Sequence, residues 1–204
     1  MQFNTPYNVL RYKDRVFARV SPFFYGDSLL DCGCGNGEDV RIYTRYFKRI
    51  HGMDIDESPD WKLYSNEFIS FSKGDAQKLD FENKSFDTVM EKDMLHHVRS
   101  PADALKEMIR VSKKRIIIIE ANRYNPLLYV NMTLIRNHQH FTQKYFKNLI
   151  ISTGLSHEFH FFAARCCPLK GKVFNDFYDL IHNVLEKIPF YRPIIEYNMA
   201  ILTK

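Results

Sequence analysis

The residues best suited to chemistry lie in two short stretches. Ser28-Leu-Leu-Asp-Cys-Gly-Cys-Gly-Asn-Gly37 runs from an apolar, strand-like segment into glycines at 33, 35 and 37. Glycine takes positive φ without a Cβ penalty, so the backbone there can turn sharply and let a ligand lie against it. Asp31 puts a carboxylate beside that turn. A carboxylate suits a ligand carrying an ammonium group and would repel the pyrophosphate that a dinucleotide loop holds at a helix N-terminus. The spacing agrees, since the G-x-G-x-x-G fingerprint needs a glycine where this chain has Glu38. The second stretch, Asn83 to Val98, ends in His96-His97-Val98. An ordinary imidazole titrates at about pH 6.5 and can take a proton from a reacting group. No carboxylate or third histidine sits at ligand spacing from the pair, so no metal is expected. The cysteines form two close pairs, Cys32/Cys34 and Cys166/Cys167, neither at zinc-finger spacing. Reduced thiols are expected, with Cys32 and Cys34 acting as small side chains in a tight turn.

These residues must be positioned by strands alternating with helical periods, the pattern of an α/β domain with helices on both faces of a mostly parallel sheet. The spacing predicts an amphipathic helix over Tyr7 to Val20, closed by Pro22, packed over the mouth of the ligand site. Strands follow at Ser28 to Cys32, Arg49 to Met53 (with Asp54 after it), Phe68 to Lys73 and Phe86 to Glu91. Val40, Tyr43, Thr44 and Phe47 recur at helical spacing between the first two strands. Helical residues near Asp60 to Asn66 precede the third strand. Pro101 opens a helix carrying Leu105, Met108 and Ile109. Arg115-Ile-Ile-Ile-Ile-Glu120 reads as a central parallel strand, buried on both faces. Thr142 is a candidate cap for a helix with Tyr145, Phe146, Leu149 and Ile150, ended by Gly154. A strand at Glu158 to Ala164, a helical period from Val173 to Ile188 and a strand at Tyr197 to Leu202 complete the chain.

Asp31-Cys-Gly-Cys-Gly-Asn-Gly37 resembles the first motif of class I S-adenosylmethionine-dependent methyltransferases. Lys73-Gly-Asp-Ala-Gln-Lys-Leu-Asp80 and Asn83 to Val98 resemble the third- and fourth-strand regions of the subfamily that includes ubiquinone and menaquinone biosynthetic methyltransferases. The resemblance runs from about Leu29 to Thr153. It implies a single Rossmann-like domain over residues 1–204, a seven-stranded sheet with an antiparallel last strand, and S-adenosylmethionine as cofactor, leaving as S-adenosylhomocysteine. The implied cofactor residues are Asp31, Gly33, Gly35, Asp54, Ile55, Asp75, Ala76 and Glu91. Asp54 would accept the ribose hydroxyls. Asp75 would accept from the adenine amino group, with the Ala76 N–H facing a ring nitrogen and Ile55 with Gln77 or Met94 as apolar walls. The backbone at Glu91 and Lys92 would face the amino-acid end, and whether the Glu91 side chain points at ligand or solvent stays open.

Methyl transfer from a sulfonium is an in-line displacement in which orientation can supply most of the acceleration. A base is needed only where the acceptor must lose a proton. His96 or His97 is the expected catalytic residue, with His138 and His140 as further candidates. Two segments are expected to enclose the acceptor: 123–141, rich in apolar residues, and 166–197, with Phe174, Phe177, Tyr178, Phe190 and Tyr191. The aromatic segment could equally form a homodimer face. An Asn-Pro-Pro-Tyr-like motif is absent after the fourth strand, and Cys166-Cys167-Pro168 reverses the Pro-Cys order of pyrimidine C5 enzymes. A net charge of +5 with scattered Lys and Arg makes nucleic acid a minority reading. No membrane span or leader is expected, and a cytoplasmic location follows. The leading reading is a small-molecule methyltransferase. The alternatives are an RNA or protein methyltransferase and a non-catalytic cofactor-binding scaffold.

Overall fold

The computed structural model describes residues 6–126, 129–130, 134, 140–164 and 171–204, together with the backbone but not the side chain of residue 192. Of the residues named above, His138, Cys166, Cys167 and Pro168 lie outside the described residues, as does most of the segment 123–141 expected to enclose the acceptor. By its contacts the chain divides into two compact units: Met1–Pro22 with Ala121–Gln143 and His160–Asn198, and Phe23–Glu120 with Lys144–Phe159 and Met199–Lys204.

The second unit carries strands β1 (Ser28–Cys32), β2 (Arg49–Asp54), β3 (Ile69–Lys73) and β4 (Phe86–Lys92), and most of β5 (Ser112–Ala121). With β6 (Ser156–Phe162) and β7 (Tyr197–Thr203) they form a seven-stranded sheet in the order β3-β2-β1-β4-β5-β7-β6. β1 to β5 pair in parallel, and the sheet turns antiparallel at its last strands. The strand order reverses between β1 and β4, and in such sheets ligands bind beyond the strands' carboxyl ends at that reversal. Ile116 to Ile119 of β5 are fully buried, as a β-branched run in a central parallel strand must be. The Asp87 carboxylate fixes how β1 and β4 start. It accepts from the backbone of Asp27 and Ser28 and from the Ser28 hydroxyl, and pairs with Lys113 at 2.9 Å. These partners outweigh its partial burial and hold its carboxyl down at about 2.

The helices of this unit are α2 (Val40–Tyr43), α3 (Trp61–Tyr64), α4 (Pro101–Val111) and α5 (Gln143–Ile151). α4 starts where proline at the first position and serine before it say it must: the Ser100 hydroxyl accepts from Asp103 N. α2 is shorter than the 40–47 period implies. Val40, Tyr43 and Phe47 are buried, but Thr44 is exposed. Tyr145 likewise faces out while Phe146 and Ile150 of the same helix are buried.

The first unit carries α1 (Tyr7–Val20) and α6 (Lys172–Leu185). They are tied by charge. Arg11 pairs with Asp179 and Asp176, Arg15 with Glu186 at 3.2 Å, and Arg19 with Glu186 at 2.5 Å. The helical period over Val173 to Ile188 is present, but its apolar stripe is exposed and the buried residues of α6 are Asn175 and His182. Phe174, Phe177 and Phe190, expected to enclose an acceptor, are exposed. Among the described residues, no helix is long and apolar enough to cross a membrane.

Candidate functional site

The site is built on the carboxyl ends of β1, β2, β3 and β4. After β1 the amides of Gly33 and Cys34 both donate to Met53 O, which folds the turn onto the end of β2. Gly33 (φ +79°) lies so close to Met94 that a Cβ would stand 2.4 Å from its Cγ, and at Gly37 (φ +79°) a Cβ would stand 2.6 Å from the Phe71 ring. At Gly35 (φ +54°) a Cβ would meet nothing within 4 Å. The outer two glycines are thus required by packing as well as conformation, and the middle one borders open space. The Gly35 amide donates to the Asp54 carboxylate at 2.7 Å, and Trp61 Nε1 donates to Gly35 O at 2.8 Å. Trp61 itself stacks on Phe71, with ring centroids 5.4 Å apart.

Beside this turn lies a cavity of about 470 Å³. Gly33, Asp54, Ile55, Asp75, Ala76 and His97, all anticipated from the sequence, line it. Met53 and Met94 add apolar wall, and Gly74, Gln77, Asp93, Val98 and Arg99 complete the rim. Asp54 also accepts from Asp56 N at 3.2 Å, yet a carboxylate has about four lone-pair sites and keeps capacity for hydroxyls. The Asp75 carboxylate accepts from Gln77 N at 2.8 Å and from the Gln77 side-chain amide at 3.2 Å. The other end of that amide, Gln77 Oε1, accepts from Ser100 N at 2.7 Å. Gln77 therefore ties the Asp75 carboxylate to the cap of α4. Sequence reading had it only as a wall, although an aspartate two residues upstream of an N–H is the ordinary Asx-turn spacing.

Asp31 is buried at the end of β1, off the cavity lining. Burial, reinforced by the charges of Asp39 and Asp54, pushes its carboxyl from the ordinary 3.8 to about 7. A buried carboxylate of that kind fits an approaching cation, which would restore its charged form. Burial also pushes the thiols of Cys32 and Cys34 up, so neither is a nucleophile at neutral pH.

Glu91 and His96 point away from the cavity. The Glu91 carboxylate is buried and accepts from Met94 N at 2.9 Å, Leu95 N at 3.3 Å and Ile119 N at 3.0 Å, so its side chain faces neither ligand nor solvent. It caps the 3₁₀ turn Leu95–His97. His96 Nδ1 lies 2.5 Å from Glu120 Oε2, with both side chains almost wholly buried. Burial pushes the imidazole down and the carboxyls of Glu91 and Glu120 up, so the neutral forms are favoured and the His96–Glu120 contact shares a proton. His97 packs on His96, with ring centroids 4.2 Å apart, and it alone of the two lines the cavity.

The donor set has a definite chemistry. Asp54 and Asp75 offer carboxylate acceptors on neighbouring strand ends, suited to a diol and an aromatic amine. Ile55, 58% exposed on the wall between them, offers apolar surface for a flat ring. Asp31 behind the glycine turn offers a countercharge for an ammonium. The residues fit a nucleoside amino acid.

Comparison with known proteins agrees. Residues 30–119 match the family model described as a methyltransferase domain. The chain is 32% identical over 109 residues to the 27-O-demethylrifamycin SV methyltransferase of Amycolatopsis mediterranei, a match covering 50% of this chain and spanning 40% of that relative. Among solved structures, an S-adenosylmethionine-dependent methyltransferase from Archaeoglobus fulgidus superposes with a TM-score of 0.69 at 21% identity, covering 97% of this chain and 94% of that one. The [4+2]-cyclase SpnF superposes with a TM-score of 0.66 at 16% identity, covering 94% and 80%. At such identities the likeness to solved structures shows the fold alone.

Proposed function

We propose that residues 30–119, which match a methyltransferase-domain family model, form a class I S-adenosylmethionine-dependent methyltransferase domain, and that this protein methylates an oxygen, nitrogen or carbon of a small-molecule metabolite. The observation that carries the reading is the convergence of Asp54, Ile55, Asp75 and Ala76 on one cavity at the strand ends. When bound, the cofactor supplies an electrophilic methyl group on a sulfonium. Asp54 would accept from the ribose hydroxyls, Asp75 from the adenine amine, and Ile55, Met53 and Met94 would supply apolar surface for the ring. Asp31, buried at the end of β1, would supply the countercharge for the ammonium. His97, on the cavity wall, takes the acceptor's proton where one must leave, and the rim holds the acceptor in line.

The small-molecule reading is favoured over nucleic acid by the fate of the basic helix α1. Arg11, Arg15 and Arg19, the residues a phosphate backbone would need, are engaged with Asp179, Asp176 and Glu186. Such engaged arginines release few counterions to a phosphate backbone.

The test is thermal denaturation with S-adenosylhomocysteine. The melting temperature should rise with the logarithm of ligand excess, and Asp75→Ala should abolish the rise while the unliganded melting temperature holds. A flat response from the native chain would sink the proposal.

A further inference from the structure

We infer that the outward face of α6 is a docking surface for an anionic lipid bilayer, so that the protein works at a membrane without spanning it. The helix is inverted relative to an ordinary surface helix, which buries its apolar stripe. Val173, Phe177, Leu180, Ile181 and Val184 fall at i, i+4, i+7, i+8 and i+11, on one face, and every one of them is exposed. Phe174 is exposed beside them, and Phe190, in the 3₁₀ segment after the helix, is 91% exposed. Aromatic side chains carry roughly 150–250 Å² each, so the three phenylalanines alone present several hundred square ångströms of apolar surface. With the aliphatic residues added, the face exceeds what water-soluble monomers ordinarily leave open.

Charge identifies the occupant. Among the described side chains, the unit that holds α6 has seven Lys and Arg against five Asp and Glu, a net of +2, whereas the rest of the chain has 18 against 19, a net of −1. The helix's own carboxylates are neutralised: Asp176 by Lys172 and Arg11, Asp179 by Arg11, Glu186 by Arg15 and Arg19. Lys172 and Lys187 stand at the two ends of the stripe. An apolar, phenylalanine-bearing helix face on a basic body is the arrangement that lies in the plane of an anionic interface. A second copy of the chain is disfavoured, since apposing two such faces would bring together two units of net positive charge.

Flotation of the full chain with vesicles tests this, using phosphatidylcholine alone and phosphatidylcholine with about a third phosphatidylserine. The chain should float with the anionic vesicles and not the neutral ones. Phe177→Glu and, separately, Phe190→Glu should cut the bound fraction about tenfold, with circular dichroism and the S-adenosylhomocysteine melting shift unchanged. That unchanged shift reports the cofactor site independently, so failure here and failure of the methyltransferase reading are distinguishable. Absence of flotation, flotation indifferent to lipid charge or to both substitutions, or a dimer in light scattering that Phe177→Glu dissociates without any vesicle binding would overturn the inference.

Discussion

The backbone amide of Gly35 donates to the carboxylate of Asp54 at 2.7 Å, so one aspartate both closes the glycine turn and faces the cavity. The turn after β1 and the end of β2 are therefore not independent parts of the site. Replacing Asp54 removes a ligand acceptor and releases the loop together. Asp54→Ala should weaken S-adenosylhomocysteine binding by about 2 kcal/mol or more, and lower unliganded stability by about 1 kcal/mol, the worth of a single lost hydrogen bond. Calorimetric titration alongside denaturant melts separates the two effects. Undiminished affinity would remove Asp54 from the site.

Asp31 gives a pH dependence with a definite sign. Its folded carboxyl titrates at about 7, above the 3.8 of an ordinary aspartate, so the folded state holds the proton more tightly than the unfolded chain. Stability of the unliganded protein should therefore be highest below about pH 4 as far as this group is concerned, and should fall as pH rises through the window to about 7, by roughly 4 kcal/mol in all. Asp31→Asn should raise the melting temperature at pH 8 and weaken cofactor binding at the same pH. In the native chain, binding should weaken as pH falls below 7, where an ammonium must compete with the proton. Melting curves of the Asn variant that track the native protein across pH 5 to 8 would refute the assignment.

The two adjacent histidines should part company on substitution. His96→Ala leaves the buried Glu120 carboxyl without its 2.5 Å partner and opens a hole beside it, and should cost about 2–4 kcal/mol of stability. His97→Ala, at an exposed rim position, should leave stability within about 0.5 kcal/mol. On an acceptor that must lose a proton, His97→Ala should instead lower kcat and remove the acid limb of the rate profile. Equal losses of stability from both variants would contradict the division of roles.

Gln77 acts on the ligand through Asp75. Gln77→Ala removes the side-chain amide from the Asp75 carboxylate, leaving it only the backbone N–H at 2.8 Å, and leaves Ser100 N without its 2.7 Å acceptor. The apparent KM for the cofactor should rise about tenfold, the effect of one displaced hydrogen-bonding group, with kcat nearly unchanged. A fall in kcat at constant KM would place Gln77 elsewhere in the reaction.

Gly33 and Gly35 should respond differently to alanine. Both have positive φ, which costs a residue with a Cβ about 1–2 kcal/mol. Gly33→Ala also drives its methyl to 2.4 Å from Met94 Cγ, whereas Gly35→Ala meets nothing within 4 Å. Denaturant melts should therefore show Gly33→Ala the more damaging, and the reverse order would mean the turn is held differently.

Much of this protein was legible in its sequence because the signals are local. Positive φ at Gly33, Gly35 and Gly37, the first-turn proline of α4 at Pro101, the all-apolar run of β5 and the aspartates at 54 and 75 each follow from a few neighbouring residues. What tertiary structure decided is direction. A 3.6-residue period reveals that α6 has an apolar stripe, but not that three arginines from α1 would draw its polar side inward and turn that stripe out. The adjacent His96 and His97 are equivalent in sequence until a carboxylate from β5, 24 residues on, pulls one ring into the interior and leaves the other on the cavity. Glu91 is read as ligand or surface until the amides of Met94, Leu95 and Ile119 claim it. Backbone preference is set by near neighbours, whereas the aim of a side chain is set by partners far along the chain, which no window of residues contains.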